Sequence, residues 1–468
     1  MSSPAASTPL RRELGLRSAT VLVIANMIGS GVFTTSGYII GELGSAQMLL
    51  LCWLVGGLFA LAGALCYGEL GAMLPHAGGE YIYLREAFGP LPAFVSGWIS
   101  LIVGFSAPIA AAAIAFATYF LGSEGEALLV LSAAGHDWLT LSPVTLLASA
   151  AILVFTLIHL HSLRLGKGVQ NLLTAYKLGF VALFIGAGLW LGEGNLAHLR
   201  QTLPEAPGGA ASFAIALIFV SFAYSGWNAA AYLAGEIRRP ERNLPLALTL
   251  GTLLVGTLYL LINLVYLYAL PPEAMRGTLE VGTAAAEKLF GPTIGSLFGL
   301  GIALGLLSVM SAMIMAGPRV YFAMARDGLF PPYFGRVHPT RATPTGAILF
   351  QSVIALVMVL AAAYDALLIY IGFTLSLSSM LAVAALMRLR HLRPALPRPY
   401  RTLGYPLTPL LFIAGNLWII AYTFSSRPVV ALYGLTTLTA GVVLYRLRYH
   451  KVARSAEGAL PAEEGAPS

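Results

Sequence analysis

The sequence predicts an all-α integral membrane protein of twelve transmembrane helices, in which the first and the sixth are broken in mid-span. Three observations carry this. Of the 468 residues, 58% are hydrophobic and only 10% are charged, whereas a soluble chain is about 25% charged. Twelve apolar stretches follow one another, each long enough to cross a hydrocarbon core of about 30 Å. Two of them are interrupted in the middle by glycine and serine. With a mean hydropathy of +0.80, a soluble enzyme or a nucleic-acid-binding domain is excluded, despite the net charge of +7.

The spans run over residues 18–41, 46–72, 90–120, 139–160, 169–191, 210–236, 244–269, 292–325, 343–363, 366–387, 404–425 and 428–448. The third, sixth and eighth are long, which calls for tilt or extension beyond the bilayer. The 50 glycines suit helices that must approach closely where apolar burial gives little drive. Cys52 and Cys66 fall in one span, 14 residues apart. At helical rise that is about 21 Å, too far for a mutual disulfide. Residues 1–17 are polar and carry no cleavable signal pattern, so a cytosolic N-terminal segment is expected. A single membrane domain over 18–450 follows. The small, acidic tail 451–468 is expected to be cytosolic and disordered.

Orientation follows from Lys and Arg. With the N-terminus inside, 22 of the 27 fall in inner segments. Four, Arg200, Arg276, Lys288 and Arg427, fall outside, and Lys177 lies within a span. Such asymmetry places both termini in the cytosol. The outer loop 121–138 contains Glu124, Glu126, His136 and Asp137 but no Cys.

The chemistry is expected at the two breaks. In Ile24–Ser36, IANMIGSGVFTTS, Gly29 and Gly31 flank Ser30, and all three have low helix preference. Lipid offers an unpaired peptide group no partner, so a span is broken only where it is packed in protein or lines a cavity. The free N–H groups opening the outer half-helix suit a carboxylate. The carbonyls ending the inner half suit an ammonium, and an α-amino acid carries both charges. The second break lies at Tyr224-Ser225-Gly226-Trp227-Asn228, with Phe222 and Tyr224 as aromatic neighbours able to close over a solute. Breaks in spans one and six fit two five-helix repeats of opposite topology, 18–191 and 210–387, with helices eleven and twelve (404–448) outside them. That pattern points to a secondary transporter.

Lys177 is the most unusual single residue. It stands eight residues inside Val169, about 12 Å deep at helical rise, and so is expected to point into the bundle, where an ionisable residue is functional by default. Ser308 and Ser311 offer hydroxyls on the eighth helix, and Asn26 stands one turn before the first break. His159 and His161, at a helix end, are assigned no specific role. The cluster Arg388–Arg401 reads as a topology determinant.

Five segments resemble the amino acid–polyamine–organocation superfamily, and within it bacterial relatives of the L-type amino acid transporters. They are IGSGVF (28–33), YGELGAMLPHAGGEYIYLREAFGP (67–90), FAYSGWNAAAYLAGEIRRPERNLPLAL (222–248), RVYFAMARDGLFPP (319–332) and RPYRTLGYP (398–406). The resemblance implies a leucine-transporter-like, 5+5 inverted-repeat core. It implies that substrate carboxylate meets the main chain of Ile28, Gly29, Ser30 and Gly31. The amino group would meet carbonyls near Phe222, Ala223 and Ser225, with Phe222 as the aromatic gate. Ser225 and Asn228 stand where some relatives place Asp and Glu, which argues against a cationic substrate. The resemblance further implies that the Lys177 ammonium replaces the sodium of sodium-coupled relatives; a Lys177 that gains and loses its proton would instead couple transport to protons. Ser308 and Ser311 sit where those relatives supply hydroxyl ligands.

A sodium-independent, alternating-access transporter of small to medium neutral L-amino acids is therefore expected, working as exchanger or proton symporter in a bacterial inner membrane. The alternative, a polyamine or cationic amino acid permease, needs anionic groups near the breaks, and none is evident there. The absence of HExxH and GxSxG patterns and of an intramembrane acidic pair argues against an enzyme. No cofactor and no metal are expected. Animal relatives are tied to a glycoprotein through a Cys in the loop between helices three and four. That Cys is absent here, so no disulfide-linked heavy chain is expected; the expected state is a monomer or weak homodimer, both compatible with the sequence.

Overall fold

A computed structural model describes residues 12–121, 127–133, 136–203, 207–339, 341, 343–361, 364–426 and 428–449. Arg11, Glu124, Glu126, Arg427 and the tail 451–468 lie outside the described residues.

The first span is three pieces: α1 (Leu16–Met27), α2 (Gly31–Thr34) and α3 (Ser36–Leu43). Then come α4 (Ala46–Met73), a short α5 (Glu80–Phe88), and a third span built from α6 (Pro90–Ile99), a π-helical turn at Ser100–Ser106 and α7 (Ala107–Leu121). An antiparallel strand pair follows, β1 (Leu129–Ala133) with β2 (His136–Leu141), Leu129 opposite Leu141, with a register shift between Leu131 and Ser132. The fourth and fifth spans are α8 (Pro143–His161) and α9 (Leu163–Trp190). The sixth splits into α10 (Gly209–Tyr224) and α11 (Ala229–Tyr232). Beyond it lie α12 (Pro240–Ala269), the short α13 (Pro272–Met275) and α14 (Val281–Phe290), and α15 (Pro292–Ala316) with its continuation α16 (Pro318–Arg326). The chain ends in α17 (Thr345–Ala361), α18 (Tyr364–Leu392), α19 (Leu407–Ser426) and α20 (Pro428–Leu444).

Helix ends follow ordinary signals. Ser142 caps α8 in a capping box with Thr145 and precedes Pro143. Gly44 (φ +65) ends α3 in the left-handed conformation. Among the described residues nine helical segments are long and apolar enough to cross a bilayer. The helices at the sixth and ninth expected spans, Gly209–Tyr224 and Thr345–Ala361, are shorter, the sixth because the break ends α10 at Tyr224, and α20 (Pro428–Leu444), at the twelfth, also lies outside the nine. Two features depart from the sequence expectation: residues 139–141 belong to β2 rather than to the fourth span, and β1 and β2 form the one strand pair among the described residues.

Leu58, Leu153, Leu157, Leu172 and Leu183 are exposed along helix flanks, as lipid-facing side chains are. One apolar cluster runs from Ala19 to Tyr449. At one end of the bundle Leu14 N–H donates to Glu236 O (2.9 Å) and Arg238 N–H to Leu14 O (2.8 Å). Arg85–Asp327, Arg319–Glu236 and Arg393–Glu86 ion pairs gather at this same end. At the other, Leu203 N–H donates to Gly44 O (2.6 Å) and Asn195 N–H to Tyr268 O (2.8 Å).

The two breaks touch. A Cβ at Gly31 would stand 2.5 Å from Ala223 Cα. A Cβ at Gly226 would stand 2.8 Å from the carbonyl carbon and oxygen of Asn26, and Gly226 has φ +93°, disfavoured for any residue with a side chain. Gly226→Ala is therefore expected to destabilise the fold by ~1–3 kcal/mol. Gly179→Ala, on α9 with open space where a Cβ would go, should be neutral or slightly stabilising. Thermal melting of the two variants in detergent checks the contrast.

Candidate functional site

The break in the first span leaves carbonyls that α1 cannot pair itself. Ile28 adopts φ −71°, ψ 89° and ends the helix. Its carbonyl accepts from Lys177 Nζ at 2.5 Å, and Ala25 O accepts from the same ammonium at 2.9 Å. Lys177 is only 2% exposed. Two charge-assisted hydrogen bonds and the negative end of the α1 dipole act against its desolvation. Met27 O accepts from the Tyr259 hydroxyl at 2.5 Å, which also donates to Ala223 O at 3.0 Å. Tyr259, on α12, thus staples the two breaks together. Beyond the break, Phe33 O accepts from Tyr119 (3.0 Å) and Ser36 Oγ donates to Asn263 Oδ1 (2.6 Å). Among the described residues no backbone carbonyl accepts from the amides of Ser30, Gly31 or Val32.

At the second break α10 ends at Tyr224. Ser225 is extended (φ −54°, ψ 149°), its N–H donating to Phe222 O at 2.9 Å, and Asn228 leads into α11. A cavity of about 80 Å³ lies against this break. Its wall includes Asn26, Ser221, Tyr224, Ser225, Gly226, Asn228, Phe105, Ser376, Phe412 and Glu80. Of the expected site residues, Tyr224, Ser225, Gly226 and Asn228 line it. Ile28, Gly29, Ser30 and Gly31 do not, because Gly31 is packed against Ala223; Asn26 stands in for the first span. Phe222 and Ala223 are buried off the wall. Ser308 is bonded to Gln170 and Thr174 of α9 (both 3.3 Å), and Ser311 faces His159 Nε2 at 2.9 Å. His159, assigned no role from sequence, is buried and holds α8 to α15.

One expectation is corrected: the cavity does contain an acidic residue. Glu80, the first residue of α5, is buried and on its wall. Oε1 accepts from the Tyr67 hydroxyl (2.6 Å) and Asn228 Nδ2 (2.9 Å), and Oε2 from Ser378 Oγ (2.7 Å). Burial pushes its carboxyl above the usual range, against these donors, which lower it. The only sequence sign was Gly78-Gly79 directly before it, a turn that folds the loop back onto the bundle. Tyr259 had no sign beyond being a tyrosine in an apolar span.

Broken helices staple to each other beside a small cavity whose largely apolar wall carries a few polar side chains, inside a bundle of apolar helices. That arrangement fits a multi-pass membrane transporter. The chain belongs to the amino acid permease family: the family's profile matches residues 14–444. It is 32% identical to the large neutral amino acids transporter small subunit 2 of Mus musculus over 456 residues, covering 95% of this chain and 82% of that one. It is 34% identical to the serine/threonine exchanger SteT of Bacillus subtilis (strain 168) over 417 residues, covering 88% and 91%. Against the b(0,+)-type amino acid transporter 1 of Mus musculus it is 30% identical over 451 residues, covering 94% and 88%.

Tyr259→Phe removes the donor shared by Met27 O and Ala223 O. It should lower stability by ~1–3 kcal/mol, since buried carbonyls then lose their partner. A melting curve that superimposes on wild type would show the staple to be energetically idle.

Proposed function

We propose that the protein is a secondary active, alternating-access transporter of small to medium neutral L-amino acids, independent of sodium, that works by exchange or with a proton. The observation that carries this is the pair of stapled breaks with the Lys177 ammonium on the carbonyls that end α1. A fixed internal cation at that place does what a bound sodium would do. The unpaired amides of Ser30, Gly31 and Val32 are the natural partners of a substrate carboxylate once alternation parts Gly31 from Ala223. The Phe222, Ala223 and Ser225 carbonyls suit its ammonium, with Phe222 and Tyr224 closing over it. Ser308 and Ser311 support the site from α15 rather than contacting the solute in the arrangement described. The relatives named for large neutral amino acids and for serine and threonine support the substrate class.

The same reading gives twelve spans in a 5+5 inverted repeat plus two, as one membrane unit over 18–450. Both termini are then cytosolic, in a bacterial inner membrane. The large-neutral relatives are named as small subunits. Here segment 121–138 has no Cys, and Cys52 and Cys66 are buried in α4. No disulfide-linked partner is proposed. A cationic amino acid permease is the second reading, favoured by Glu80 on the cavity wall; against it, three neutral donors already engage that carboxylate.

Proteoliposomes test the proposal. Unlabelled neutral L-amino acids should compete with labelled uptake and drive exchange, with or without sodium, while lysine and arginine should not. Neutral amino acids that neither compete nor exchange would refute it. Lys177→Ala should cut transport tenfold or more, the equivalent of about 1.4 kcal/mol; undiminished rates would leave the lysine a packing role only.

A further inference from the structure

Glu80 differs from the other carboxylates buried in this protein. Glu69 is forked by Arg390 (2.8 and 2.6 Å) with Arg398 at 3.6 Å, and Glu236 faces Arg319 at 3.3 Å. Among the described residues no Lys, Arg or His comes within ion-pair distance of Glu80. The titratable groups that face it are phenols: Tyr67 on α4, Tyr83 on its own helix and Tyr232 on α11. From α18 it meets only Ser378, and from the sixth-span break only Asn228.

Its placement is built rather than incidental. Gly78 (φ +124°) and Gly79 (φ +53°) turn the chain at a point where a Cβ on Gly79 would lie 2.6 Å from the Tyr232 ring. Gly78 N–H donates to Tyr232 O at 3.1 Å. The turn therefore delivers Glu80 to the cavity wall beside Ser225, Gly226 and Asn228. A carboxylate has four acceptor positions, and the groups around them are uncharged donors, Tyr67, Asn228 and Ser378, with the Tyr232 phenol beside them. That leaves little room for a multi-donor cation, whereas a proton needs none.

We propose that Glu80 is a proton-binding site of the transport cycle and carries one proton with each amino acid moved. This rests on the transport reading above. When the cavity opens to one side, the carboxylate takes a proton from hydronium there and leaves water. When it opens to the other, the carboxyl O–H gives that proton to water. An unpartnered charge in a low dielectric favours the neutral form. Protonation turns an acceptor oxygen into a donor, so Glu80 then holds Tyr67, Asn228 and Ser378 less firmly. Those residues belong to three different spans, so proton occupancy and helix arrangement are linked.

The test uses the full-length protein in liposomes with a lumenal pH dye and no internal amino acid. Labelled L-alanine, L-serine and L-leucine are supplied outside. Wild-type uptake should acidify the lumen. Acidification per amino acid taken up should fall to background in Glu80→Gln and persist in Glu80→Asp. Equal acidification per amino acid in Glu80→Gln would overturn the proposal, as would wild-type uptake without acidification. So would a Glu80→Gln variant that keeps the proton ratio but loses inhibition by L-lysine, which would make Glu80 a cation subsite. Tyr67→Phe gives a second reading if Glu80→Gln fails to assemble. Losing a donor to the carboxylate should move the half-maximal pH of uptake to the alkaline side by about half a pH unit, and an unmoved midpoint overturns the assignment. A wild type that neither takes up nor exchanges any amino acid would refute the transport reading itself.

Discussion

Everything in this structure depends on one constraint: a peptide group at membrane depth must find a partner inside the protein. Two helices are interrupted where no water of the bilayer could serve the freed carbonyls. Their partners are therefore side chains from other spans. Lys177 takes Ala25 O and Ile28 O, Tyr259 takes Met27 O and Ala223 O, and Tyr119 takes Phe33 O. Each break is tolerated because a distant part of the sequence supplies a donor, and this fixes how the fifth, seventh and third spans must pack around the first.

The close approach of the two breaks follows from the same logic. Donors such as Tyr259 can serve both breaks only if the two backbones nearly touch, which glycine at 31 and 226 permits. The cavity then lies to one side of the contact, walled by the sixth-span break, and its polar groups come from α5 and α18 as well as from the break itself. Polarity at this site is thus concentrated in a few side chains set into an otherwise apolar wall.

Much of this was legible in the sequence. Gly29–Gly31 and Gly226 stand out because low helix preference is conspicuous inside an apolar span. Lys177 stands out because an ionisable group so deep in an apolar span either snorkels out or finds a partner inside the bundle, and it meets Ala25 O and Ile28 O. Glu80 was not legible, because it precedes the third span in a polar loop, and only the three-dimensional turn at Gly78-Gly79 carries it inward. Tyr259 was hidden for the opposite reason: in an apolar span a tyrosine looks like packing until its hydroxyl is seen between two carbonyls. The strand pair at 129–141 was missed because its strands are short and its alternation merges with the start of the next span. His159 looked idle at a helix end, whereas the packing of α8 on α15 buries it against Ser311.

A cation that is part of the chain cannot be released on either face of the bilayer. In the transport proposed above, Lys177 as an ammonium would stay with the protein through every turnover and contribute no ionic current of its own, and a neutral amino acid would add none either. On that proposal the membrane voltage acts on the cycle through charges that move or change as the helices rearrange, which makes the electrical behaviour of this protein a readout of Glu80.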